Sequence, residues 1–525
     1  MQTYAVTSPQ MRVVPDSKQA HLVHLGPSRR TDNVLTAQSS QLGPSAPTQS
    51  SWTLSPPSLS TVVDRYMQVR YYFDIVTDQD MQLGISDSLR QFPSSSIIDT
   101  TTVTINGESI SDNTQAKLHA MLCYGNDSQD RDKSWSKSTA QPDQYQQYSD
   151  WQTLGSARNV AAFYGENSAE MSRGGFEVEV ISARNIRVVV TEPLFLSPFF
   201  NGVGHQQEGF VNVNEITVNL RHSANVGRVF SHSTAGNPIT SVVTTFYRAP
   251  ELLSTFYTPD LTQRLPELQV LPYSKTNDYI RTMAQIPVAG SLTVFSDTIR
   301  LSQIPRYVYL FARRTTPSST FSTCDSFPSI EGVSIQWGNE SGLLSSATKQ
   351  DLYEISRRNG CNLSYSQFSK YRGSVLCLEM GKDIGLQDFE SPGLNGGYTL
   401  QAQVTFKNQG SAPIDCDFYL VTVNQGTFSI APNSARATLG GVTAEQVMAA
   451  RTSPELPHVE YERLHGSGFF SSLKNIIHKV AGIAAPVLGA IAPEFMPIAS
   501  AVHAATGGSM NSGGGIVSGG SVRRR

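Results

Sequence analysis

Residues 332–341 read GVSIQWGNES, and residues 101–109 read TTVTINGES. In both, apolar and polar side chains alternate into a Gly-containing turn, with Val103 and Ile105 aligning with Val333 and Ile335. Alternation puts the apolar side chains on one face of an extended chain, and the Gly lets the backbone reverse tightly. A short helical segment follows each copy, Gln115–Leu122 and Lys349–Ser356, with Leu118 matching Leu352 at nearly the same separation. Strand, turn and helix thus recur about 230 residues apart. A period that long points to a duplicated domain, because solenoid repeats run ~20–50 residues.

Outward from these two stretches the same grammar continues. Strands are expected at Val69–Val76, Phe176–Ile181, Ile186–Thr191, Glu215–Leu220, Ser291–Phe295, Tyr307–Arg313, Val375–Leu378, Leu400–Phe406 and Phe418–Val423. FEVEVI and ITVNL alternate cleanly, as strands with one wet face do, whereas IRVVV and VYLF are continuously apolar and belong in sheet centres. The class is all-β, with two sandwiches favoured over one barrel.

The chain has 525 residues, 39% hydrophobic and 16% charged, with a net charge of −3. That length suffices for one large core or several smaller ones. The charge balance argues against a protein devoted to nucleic acid, which needs concentrated Lys and Arg. Cys123, Cys324, Cys361, Cys377 and Cys416 are scattered, without CxxC spacing, and read as buried reduced thiols. The opening MQTYAVTSPQ has no basic start followed by an apolar run, so no secretory leader is expected.

Residues 1–57, rich in Ser, Thr, Gln and Pro, read as a flexible arm with a role in assembly. The first sandwich is expected over 58–245, the second over 246–450, a linker over 451–467 and a tail over 468–525.

The blocks 193–200 (PLFLSPFF), 302–314 (SQIPRYVYLFARR), 326–344 (SFPSIEGVSIQWGNESGLL), 373–386 (GSVLCLEMGKDIGL) and 396–426 (beginning GGYTLQAQVTFKNQG) resemble double jelly-roll major capsid proteins. The resemblance is to those of small eukaryotic DNA viruses of the polinton, adintovirus and virophage kind. It implies two jelly rolls side by side, trimers of pseudo-sixfold outline, and icosahedral shells built with other capsid proteins in the virion. Synthesis would then be in the host cytoplasm, with assembly in the nucleus open. A single jelly-roll penton protein and an RNA-virus coat protein remain alternatives, as does a β-sandwich module binding carbohydrate or protein.

Near the C-terminus, Leu464-His465-Gly466-Ser467-Gly468 fits the pattern cut by adenovirus-type cysteine proteases. A cut between Ser467 and Gly468 would free GFFSSLKNIIHK, which resembles the lytic segment of adenovirus protein VI. Phe469, Phe470, Leu473, Ile476, Ile477 and Val480 recur at helical spacing and define one apolar face. Lys474, His478 and Lys479 lie opposite, as in a helix resting on an anionic membrane, and His478 gains charge in the endosomal pH range. A packed helix under the shell is the competing reading. From residue 468 onward five basic side chains face one acid, so weak contact with packaged nucleic acid is also open.

No HExxH, GxSxG or Walker loop occurs, and the ten His show no metal-like spacing, so neither catalysis, a cofactor nor a metal is expected. Glu177 and Glu179 read as a solvated sheet face. Arg313-Arg314 and Arg357-Arg358 read as solvated or intersubunit ion pairs.

Overall fold

A computed structural model describes residues 4–7, 12–15, 29–38, 48–82, 87–90, 92–121, 123–124, 177–199, 209–232, 239–258, 265, 267–323, 327–361, 363–371, 373–410, 412–441 and 444–445. The chain folds as two antiparallel β-sandwiches within one compact unit, Met1–Ser453.

In the first sandwich, one sheet runs Glu177–Ser182, Asn185–Pro193, Gln68–Thr77, Glu251–Thr258, Val62–Asp64, Gly209–Phe210. Val242–Phe246 and Arg29–Thr36 pair at its sides. The facing sheet runs Thr48–Leu54, Ile216–His222, Ile98–Ile105, Glu108–Asp112. Between them lie Trp52, Tyr71, Phe73, Ile75, Val103, Val188 and Val218, all buried. Alternation is visible in burial: along Ile216–His222 every second side chain is buried.

The second sandwich repeats this order. Gln269–Thr282, Cys416–Ala431, Tyr307–Arg314 and Leu376–Glu379 make one sheet, with Ser434–Leu439 beside Cys416–Ala431. Ser291–Phe295, Asn395–Lys407, Ser329–Trp337 and Glu340–Leu343 make the other, with Ile299–Gln303 beside Asn395–Lys407. The strand Gln68–Thr77 therefore has its counterpart in Tyr307–Arg314, and Glu251–Thr258 in Cys416–Ala431. Leu310, Val333, Leu378, Val404, Phe406 and Leu420 fill this core.

The two quoted stretches are equivalent hairpins. Asn106 (φ 47) and Gly107 (φ 89) turn the first with both φ positive, the geometry an Asn-Gly pair favours. Gly338 (φ 56) and Asn339 turn the second. The helices Thr114–Met121 and Lys349–Arg358 follow, the latter capped by Thr348 and Asp351 in a reciprocal capping box. Leu118 and Leu352 each point into the core of their own sandwich.

Two boundaries differ from expectation. Arg29–Thr36 and Thr48–Leu54 are paired strands of the first sandwich, so it begins well before residue 58. RRTDNVLT offers few apolar side chains because it lies at the side of a sheet. Glu251–Thr258 likewise belongs to the first sandwich, moving the junction from 245/246 to between Thr258 and Gln269. Its alternating Leu252, Ser254 and Phe256 are buried.

Candidate functional site at the junction of the two sandwiches

The polar and apolar contacts that decide what this chain can do concentrate where the two sandwiches meet. The helix Thr114–Met121 is the first element there. Leu118 faces its own core, while Ala116 and Ala120 lie on the opposite side with Cys123 beyond. They rest on the outer face of the second sandwich, against Tyr309, Phe311, Tyr419 and Val421. Phe311 stacks on Tyr419 with centroids 5.1 Å apart, and Tyr124 meets Tyr309 edge-on at 5.2 Å. Small helix residues permit this approach because large aromatic rings on the sheet supply the volume.

Lys117 on the same helix is almost wholly buried and bonds Asp112, Thr276 and Asp278, the last with Nζ–Oδ1 3.2 Å. Burial pulls the Lys117 ammonium down and pushes the Asp278 carboxyl up from their ordinary ranges. Thr276 Oγ1 also donates to Asp112 at 2.7 Å, so the charges lie in a shared polar network.

The second element is the antiparallel strand pair Gln269–Thr282 with Cys416–Ala431, continuously paired from Gln269↔Ile430 to Thr282↔Asp417. At one end Phe418 and Leu420 lie in the second core. At the other, Leu271, Tyr273, Phe428 and Ile430 lie in the first core. Gly426 is required in the paired strands, because a Cβ there would sit 2.1 Å from Thr438 O.

The third is the loop after Tyr307–Arg314. Fully buried Arg90 donates to the carbonyls of Thr320 (2.9 Å), Phe321 (3.3 Å) and Thr323 (2.7 Å). Asn225 donates to Thr316 O at 2.6 Å, and the His232 N–H donates to Phe321 O at 3.0 Å. Asn106, at the hairpin turn, donates to Ala431 O at 3.0 Å. The arrangement fixes two sandwiches as one rigid piece. Among the described residues no group of three His, Cys, Asp or Glu is placed to hold a metal ion.

The comparisons with known proteins agree with this geometry. Residues 23–186 match the family Sputnik virophage major capsid protein 1st domain, and residues 276–372 and 370–426 match Major capsid protein V20 C-terminal domain. The chain is 30% identical to the putative capsid protein V20 of Sputnik virophage over 486 residues, 84% of this chain and 81% of that one. The chain belongs to the Sputnik virophage major capsid protein family. This capsid chain also superimposes on the cryo-EM structure of the Sputnik virophage with a TM-score of 0.73 and 26% identity, covering 89% of this chain and 99% of the other. The mavirus major capsid protein shares the fold at a TM-score of 0.66 and 15% identity, covering 81% and 93%. The capsid chain is accordingly a structural component of a virion, assembling with other capsid proteins, and its relatives are structural proteins rather than enzymes.

The residues singled out near the C-terminus, Ser467, Gly468, Phe469, Phe470, Leu473, Lys474, Ile476, Ile477, His478, Lys479 and Val480, lie outside the described residues. Of the charged pairs, Arg313 donates to Gln115 O at the junction, and Arg357 and Arg358 pair within the chain with Glu354 (3.7 Å) and Asp383 (3.6 Å). Glu179 is exposed opposite Arg187. Cys123, Cys361, Cys377 and Cys416 are buried and form no disulfide among the described residues. Sequence reasoning missed Arg90, Lys117 and Asp278. A lone Lys in a short helix and a lone Asp in a strand carry no spacing signal, since they meet across the junction from different sandwiches.

Proposed function

We propose that this chain self-assembles into trimers of pseudo-sixfold outline that tile an icosahedral shell. The observation that carries the reading is the duplicated strand order, with the two copies joined by a strand pair that enters both cores. Two equivalent sandwiches per chain let three chains present six similar units around one axis, and heterologous contacts of this type close into rings. Particle imaging and native mass spectrometry of recombinant 1–467 test it. Trimers or shells are expected; a monomer that binds glycans instead overturns it.

A second reading rests on the spacing of Phe469, Phe470, Leu473, Ile476, Ile477 and Val480 behind Ser467-Gly468. Residues 468–525 act as a membrane-active tail, stored within the particle and released by a viral cysteine protease cutting before Gly468. Lys474 and Lys479 favour anionic headgroups, and Arg523, Arg524 and Arg525 favour contact with packaged nucleic acid. On this reading the protein is made in the host cytoplasm. A 468–485 peptide should leak anionic liposomes between pH 5 and 7.5, and purified particles should contain chains starting at Gly468. No leakage at any of those pH values, or uncut chain alone, removes this reading.

A further inference from the structure

One group of charges sits inside the apolar helix–sheet contact at the junction. Thr276 and Asp278, two apart on the strand Gln269–Thr282, point to the same face of their sheet. Asp278 is the cross-strand partner of Val421, which with Tyr419 and Phe311 belongs to the outer face that Ala116 and Ala120 cover. From the other sandwich, the helix Thr114–Met121 brings Lys117, and the end of the strand Glu108–Asp112 brings Asp112. The side chains of Lys117, Asp112 and Asp278 are 5%, 21% and 14% exposed. An amine and two carboxyl groups are thus enclosed together, with the Thr276 hydroxyl beside them.

The two carboxyl groups are not equivalent. Asp112 Oδ1 accepts from Lys117 Nζ, from Thr276 Oγ1 at 2.7 Å and from the Asn113 N–H at 2.9 Å. Asp278 Oδ1 has Lys117 Nζ at 3.2 Å. Burial drives Asp278 toward the neutral acid and Lys117 toward the neutral amine. A desolvated, uncharged amine is a nucleophile. A neutral carboxyl group is attacked at carbon far more readily than a carboxylate, because no negative charge repels the incoming electron pair. The fold holds the two in contact, which replaces an encounter in solution by a fixed approach.

We infer that Lys117 and Asp278 condense to an amide bond that links the two sandwiches covalently, with Asp112 as the proton acceptor. Lys117 Nζ attacks Asp278 Cγ, and the nitrogen passes a proton to Asp112. The C–O bond to the Asp278 hydroxyl then breaks, that hydroxyl takes the proton from Asp112, and one water leaves. An amine and an acid give an amide and water, so no oxidant or second reactant is needed. Thr276 Oγ1, bonded to both Lys117 and Asp112, bridges the nucleophile and the base. The ion pair is the state of the chain before condensation. Two desolvated ionisable groups give way to one neutral amide, so the burial that makes the pair a poor source of stability favours the product. The bond closes residues 117 to 278 into a covalent loop, and neither sandwich can then part from the other on unfolding.

The inference is independent of the trimer proposed above, and mass spectrometry of the unaltered full chain, kept folded near neutral pH, tests it. The intact chain should be lighter than its sequence by one water. Trypsin should skip Lys117 and release peptide 91–131 linked to 276–281. Lys117→Arg should keep its full mass, and Asp278→Asn should lose ammonia in place of water. Asp112→Asn should condense about 10²-fold more slowly. An unaltered chain of full mass, with 91–117, 118–131 and 276–281 recovered separately, overturns the inference. A loss of water confined to 91–131 overturns it too, since that marks a link from Lys117 to Asp112. Condensation of Asp112→Asn at the unaltered rate overturns the proton transfer to Asp112.

Discussion

Lys117 and Asp278, on different sandwiches, form an ion pair of 3.2 Å inside the junction. Two desolvated charges held this way contribute little beyond what a packed apolar pair would, yet each depends on the other. Lys117→Met should therefore destabilise the chain by about 3–5 kcal/mol, because Asp112 and Asp278 lose their buried cation. Replacing Lys117 and Asp278 together with apolar residues should recover much of that loss. Denaturant unfolding of the single and double variants measures the difference.

Arg90 holds three carbonyls of the loop between the second sandwich's strands. Arg90→Met removes every one of those donors; Phe321 O keeps the His232 N–H and Thr320 O the Thr323 hydroxyl, so the cost falls on Thr323 O, about 1–3 kcal/mol. The expected signature is local: faster hydrogen exchange over 315–323, and proteolysis there before the sheets open.

His222 is buried between the facing sheets, its Nε2 3.2 Å from Tyr71 Oη and its Nδ1 3.4 Å from Thr48 Oγ1. Burial lowers its pKa from 6.5 to about 4. The unfolded chain takes up the proton first as pH falls, so stability contributed by the neutral ring is present above 6.5 and is lost as pH drops toward about 4. Its full loss is about 3 kcal/mol. Glu192 and Asp278, whose carboxyls burial pushes up, act in the opposite sense. Comparing His222→Gln with the unaltered chain isolates the effect: the variant should lose the acid-side decline in melting temperature over that window.

A chain ending at residue 258 contains every strand of the first sandwich but lacks Leu271, Tyr273, Phe428 and Ile430 from its core. It should fail to fold cooperatively and should bind a hydrophobic dye. In the full chain, Phe428→Ala should cost about 3–5 kcal/mol and loosen the first sandwich, although Phe428 lies on a strand of the second. Hydrogen exchange across 68–77 would show it.

How much of this was legible beforehand follows from where each signal resides. GVSIQWGNES and TTVTINGES encode hairpin, register and duplication locally, and both hairpins form as read. IRVVV and VYLF do lie inside sheets; VYLF is buried on both faces, whereas Arg187 and Val189 leave the outer face of IRVVV half-buried. Arg29–Thr36 escaped because its side chains are mostly exposed or half-buried, so little apolar alternation marks it. Gln269–Thr282 escaped for another reason. Leu271 and Tyr273 bury in one sandwich while Ile280 is exposed at the far end, so no single period describes the strand. The contacts across the junction, Lys117 with Asp278 and Arg90 with Thr320, join positions more than a hundred apart, and nothing near them announces those partners.

The strand pair Gln269–Thr282/Cys416–Ala431 also has a mechanical consequence. The two sandwiches are joined by a paired strand run and not by a single-chain linker, so a load along those strands must shear a long run of hydrogen bonds that lie across it. The unit that such a load deforms is then the double sandwich as a whole and not either half alone.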